Sequence, residues 1–89
     1  MMAFQISKST TYINVGIWEN EELCFIRFDF IYGSHEWGFI AHYPDGNTNL
    51  CFEAPEKKQM GAVLEYGGSE YCMDIFLNDD ANILEILID

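Results

Sequence analysis

Two histidines, three cysteines and fifteen acids are the side chains of this 89-residue sequence whose types could do chemistry. His35 stands beside Glu36 in "YGSHE", and His42 precedes Cys51 and Glu53 by one hairpin's length. A His/Cys/Glu set can hold zinc, and a cysteine with a nearby base can act as a nucleophile. His42, Cys51 and Glu53 are the one combination that adjacent strands could bring together. No pair in it has a metal-ligand spacing, no C-x-x-C occurs, and no local signature surrounds Cys51. Cys24 falls on an apolar row, where a thiol behaves as a small hydrophobe. The glycines of "GSHE", "PDGN" and "YGGS" read as turns, with no phosphate-cradling loop among them. The expectation is a protein without catalytic residues, metal or cofactor.

The acids carry more information. The segment "SEYCMDIFLNDDANILEILID" holds Glu70, Asp74, Asp79, Asp80, Glu85 and Asp89 and neither Lys nor Arg. Across the sequence fifteen acids face only Lys8, Arg27, Lys57 and Lys58, for a formal charge of −11. Such a surface repels nucleic acid and anionic membranes, since nothing neutralises phosphate, and it steers toward basic partners. Solvated faces normally mix both signs, so the scarcity of cations is the feature to explain. An odd cysteine count and the lack of a leader-like or membrane-spanning run lead to an expected cytoplasmic, reduced state.

The elements that position these residues read as strands. Ile13, Val15 and Ile17 alternate with Tyr12, Asn14, Gly16 and Trp18; Cys24, Ile26, Phe28 and Phe30 follow on one row, then Trp37, Phe39, Ala41 and Tyr43. Turns centred on Asn20-Glu21, Ser34-His35 and Asp45-Gly46 fix the register. They pair Ile17 with Cys24, Val15 with Ile26, Ile13 with Phe28, Phe30 with Phe39, Phe28 with Ala41, Phe39 with Phe52, and Ala41 with Leu50. All three hairpins then bury the same face. "APEKKQMG" is expected as a loop, and Ala62–Tyr66, Gly67-Gly68 and Tyr71–Leu77 as a second hairpin. "NILEILID" is read as a strand from its β-branched residues, pairing Leu77 with Leu84. The alternative is a short helix capped by Asp79 or Asp80. The expected fold, for residues 1–89 as one domain, is all-β. It is a small antiparallel sandwich or partly open barrel, with a four-stranded meander followed by a two- or three-stranded C-terminal unit.

Positions left facing outward define the candidate surface. Tyr12, Trp18, Leu23, Phe25 and Ile31 surround Arg27 and Asp29 on the outer side of the meander, too apolar a set for water. Either a second layer covers that side or a partner does. Glu19, Glu21 and Glu22 on the adjacent turn form an acidic rim. Glu65 faces Glu70 across the second hairpin, a destabilising pair, and Asp74 continues the row. The expected partner-binding residues are therefore Tyr12, Trp18, Glu19, Glu21, Glu22, Phe25, Asp29, Glu65, Glu70 and Asp74.

In type, this small acidic aromatic-rich domain resembles protein inhibitors of nucleic-acid enzymes, with no motif carried over from any of them. That class includes immunity proteins of nuclease toxins and phage anti-restriction or anti-CRISPR proteins. The resemblance implies a non-enzymatic inhibitor of a basic protein, a cognate nuclease-type toxin first, held by a few desolvated aromatic anchors. The other expectation is a structural β-domain that dimerises through the Tyr12/Trp18/Phe25 side.

Overall fold

Period-two alternation dominates the sequence, and the structure follows it. The computed structural model describes residues 1–32, 37–53 and 59–89, with residues 51–53 described through their backbone pairing. These residues form β1 (Met2–Ser7), β2 (Tyr12–Glu19), β3 (Glu22–Tyr32), β4 (Trp37–His42), β5 (Thr48–Glu53), β6 (Gln59–Tyr66), β7 (Ser69–Leu77) and β8 (Ile83–Ile88). Two antiparallel four-stranded sheets result, one ordered β2-β3-β4-β5 and the other β1-β8-β7-β6. They pack as an open sandwich, a meander that opens between β5 and β6 and closes by returning β1 to the edge of β8. No helix among the described residues is long and apolar enough to cross a membrane.

The core is aromatic on one side and aliphatic on the other. The first sheet supplies Val15, Ile17, Ile26, Phe28, Phe30, Trp37, Phe39 and Ala41; the second supplies Ile6, Leu64, Met73, Ile75, Leu77, Leu84, Ile86 and Ile88. Phe39 packs at 5.0 Å from Phe28 and 5.7 Å from Phe30, and Tyr32 meets Trp37 edge-on at 4.6 Å. Tilted and edge-to-face rings suit the quadrupole of each. Two polar ends of these aromatics tie the sheets together. Trp37 Nε1–H donates to the Ala81 carbonyl at 2.7 Å, and the Tyr32 hydroxyl reaches the Ser7 and Thr10 carbonyls at 2.9 and 2.7 Å. Burial raises the Tyr32 phenol above its ordinary 10.0.

The first two hairpins and the C-terminal pairs have the expected register: Ile17 with Cys24, Phe30 with Phe39, Glu65 with Glu70, Leu77 with Leu84. The C-terminal segment is a strand because Leu84, Ile86 and Ile88 extend the buried row of Leu77, Ile75 and Met73.

Three expectations change. Leu50 pairs with Ile40 and not with Ala41, whose partner is Asn49. Tyr43 N–H bonds the Asn47 carbonyl, and Gly46 N–H the Tyr43 carbonyl, while Gly46 has φ +88. The turn thus has three residues, Pro44, Asp45 and left-handed Gly46, one more than a two-residue hairpin turn. A bulge between Phe39 and Ile40 then restores the offset, so Phe39 still meets Phe52. Leu50 lands outside, 54 % exposed. The second correction is β6, which starts at Gln59 inside the expected loop. The third is β1, unanticipated although Met2, Phe4 and Ile6 alternate. The expected turn at Ser34-His35 and the segment from Ala54 to Lys58 lie outside the described residues.

Candidate binding surfaces

Three hairpin turns meet at one end of the sandwich. Asn20 and Glu21, with φ of 51 and 63, make the β2–β3 turn. Both positive angles match a turn whose twist suits the flanking strands, although Glu21 accepts a conformation that favours glycine. The β6–β7 turn uses Gly67 and Gly68 at φ +62 and +83. Glu19 lies so close over Gly67 that an added Cβ there would meet its Cδ at 2.5 Å. The β4–β5 turn completes the group. Tyr43, Asp45, Asn47, Glu65, Tyr66, Gly67, Gly68, Ser69 and Glu70 line one open cleft of about 290 Å³.

The cleft's floor is a stacked pair, Tyr43 on Tyr66, with centroids 5.8 Å apart and planes 11° apart. Asp45 holds the turn through Asn47, whose N–H and Nδ2 donate to its two carboxylate oxygens at 2.9 and 3.0 Å. The Tyr66 phenol is held above its ordinary 10.0 by desolvation first, then by Cys24, Asp45 and Glu19. The carboxylates thus reach it electrostatically. Neither described cation lies here. Lys8 sits 6.0 Å from the centroid of the Trp37 ring, and Arg27 is mid-strand, bonded to Asp29.

The second surface is the outer side of the first sheet. Tyr12, Trp18, Leu23, Phe25, Ile31 and Leu50 are exposed on it, with Trp18 at 69 %, Phe25 at 55 % and Tyr12 at 46 %. No other element of the described chain covers them. Leu23 and Phe25 lean over Gly16, where an added Cβ would meet them at 3.3–3.4 Å. A small polar island lies at the centre. Arg27 Nε donates to Asp29 Oδ1 at 2.9 Å, and its guanidinium sits 4.0 Å from the Tyr12 ring centroid. His42 Nε2 is 2.9 Å from Asp29 Oδ2.

The expected residues therefore divide. Tyr12, Trp18, Phe25 and Asp29 share the outer side, and Glu19, Glu21, Glu22, Glu65 and Glu70 gather at the turn-bearing end. Asp74 pairs with Gly61 and Leu87 on the other sheet's outer side, away from the aromatic set. His42 opposes Thr48, and its Nε2 lies against Asp29. The side chains of Cys51 and Glu53 lie outside the described residues. Sequence reading missed Asp45, Tyr43 and Tyr66 as neighbours of Glu65 and Glu70. The signal was there: alternate turns of a meander fall at the same end.

No family model, curated protein or solved structure matches this chain.

Proposed function

We propose that this protein is a non-enzymatic inhibitor that docks its acidic, turn-bearing end into the basic cleft of a protein partner. A nuclease-type toxin, for which it would be the immunity protein, is the leading candidate. The observation that carries this reading is the convergence of Glu19, Asp45, Glu65 and Glu70 around one open cleft that neither described cation neutralises. Glu65 opposite Glu70 costs the fold about 0.2–1 kcal/mol, and a basic partner recovers it on binding. A basic nucleic-acid cleft offers clustered Lys and Arg, and complementary fields raise encounter rates by one to three orders of magnitude. Trp18, beside the Glu19–Glu22 turn, offers an anchor of the type that dominates interface energetics.

The test is an association rate measured by stopped flow against the basic protein encoded beside this one, in low and high salt. The rate should fall tenfold or more between 25 and 500 mM NaCl, roughly the span over which screening removes long-range steering. Replacing both Glu65 and Glu70 by Gln should lower the rate and flatten its salt dependence. A rate indifferent to salt, or a neighbour that does not bind, overturns the reading.

A further inference from the structure

The outer side of the first sheet has a pattern that the acidic end does not use. Along β3 the outward positions read Phe25, Arg27, Asp29, Ile31: apolar, positive, negative, apolar. Reversed, the order of character is apolar, negative, positive, apolar. A second copy laid face to face, with its β3 antiparallel and the two-fold axis passing across Phe28, therefore sets Arg27 against Asp29 of the second copy. The same operation sets Phe25 against Ile31. An isologous interface needs this kind of self-complementarity.

We propose that the protein is a two-fold dimer, closed through the Tyr12/Phe25/Arg27/Asp29/Ile31 side of its first sheet. The charge arrangement favours a second copy over a basic partner at this place. The island is neutral as a pair, since Arg27 and Asp29 cancel, on a chain whose formal charge is −11. The antiparallel arrangement also sends the two acidic ends to opposite extremes of a body 40 Å long. Sheets stacked face to face, strands within about 30° of alignment, interdigitate side chains as the core of a sandwich does. Tyr12 and Phe25 supply the anchors, and Arg27 extends its network with Asp29 and Tyr12 to the facing Asp29 without leaving a buried charge unpaired.

This is independent of the inhibitor reading, and salt separates the two. Docking to a basic partner weakens as salt rises, whereas pairing of two copies that each carry −11 strengthens.

Sedimentation velocity over 1–100 µM tests it. The wild-type chain should sediment as a dimer in 150 mM NaCl and dissociate more readily at 20 mM. Arg27→Asp and Asp29→Arg each set like charges across the axis and should raise the dissociation constant at least tenfold. An equimolar mixture of those two variants sets an acidic pair against a basic pair and should recover wild-type affinity as a heterodimer. Phe25→Ser, which adds no charge at an exposed position, should weaken the pair while leaving the melting curve of the monomer intact. A wild-type chain that stays monomeric at 100 µM overturns the proposal. So does a mixture no better than its components while both retain folded circular dichroism.

Discussion

The two outward sides of this sandwich are built from the same number of strands and the same alternation, yet they solve the contact with water oppositely. Among the described residues, six large apolar side chains stand exposed on the first sheet and only Val63 on the second. The second sheet's outer rows carry Gln5, Glu65, Glu70, Asp74 and Glu85 with no Lys or Arg among them. The first sheet's outer rows hold Arg27 and pair it at once with Asp29. Charge that repels and surface that adheres are thus assigned to different sheets. An acidic protein need not be uniformly repulsive: the strand fold lets one side keep copies in solution while the other stays available for contact.

The largest effect should come from moving a charge from one side to the other. Phe25→Glu should raise the self-dissociation constant a hundredfold or more by burying an unpaired carboxylate against Ile31 of the second copy. The matched change Val63→Glu on the second sheet should leave it unchanged within twofold. Equal responses in sedimentation equilibrium would abolish the distinction between the sides.

The contrast also presumes that the sheets remain closed on one another near the β1–β2 turn, where the Tyr32 hydroxyl shares its one proton between the Ser7 and Thr10 carbonyls. Tyr32→Phe should cost about 1–2 kcal/mol in urea unfolding, because the Thr10 carbonyl loses its donor while the Ser7 carbonyl keeps the Thr10 N–H. Because burial raises the folded phenol above 10.0, the unfolded chain loses this proton first as pH climbs. The stability that Tyr32 contributes is whole below pH 10.0 and is lost as pH rises through the folded value. Thermal melts from pH 9 to 11 should therefore fall more steeply for the wild type than for the Phe variant.

At the acidic end, Glu21→Gly should add about 1 kcal/mol by removing a side chain from a left-handed turn position at φ 63. The gain should appear in the melting temperature with no change in self-association. The smallest effect belongs to Glu70→Gln, which relieves the pairing with Glu65 for about 0.5 kcal/mol. That gain should shrink in 0.5 M NaCl, which screens exposed charges. The wild-type melting temperature itself should rise with moderate salt, as self-repulsion at −11 is reduced.

Much of this architecture was legible in the residues because one face of each strand had to be buried. Misplacing Ile13, Val15 and Ile17 by one position would have exposed all three, so the first hairpin had one acceptable register. The C-terminal strand was readable from Ile83, Ile86 and Ile88 for the same reason. The third hairpin escaped because its two offsets cancel. A glycine-bearing turn adds a residue at one end and a bulge absorbs it at the other, so Phe39 meets Phe52 in either account. β1 escaped because its partner, β8, lies at the far end of the sequence, and alternation alone does not name a partner. The outer apolar side was visible in Tyr12, Trp18 and Phe25. The cleft was harder to read, because Asp45 joins the hairpin pair Glu65–Glu70 only when the sheets close.

The bulge in β5 also bears on how this chain can change in length. Ile40 faces Leu50 and Phe39 faces Phe52, which makes Cys51 a supernumerary position in the ladder. Losing that one residue would leave every remaining backbone partnership intact and merely straighten the strand. A gap there, in mid-strand, is one that lineages could gain or lose without refolding. Sequence comparisons that confine insertions to loops would place such a gap wrongly.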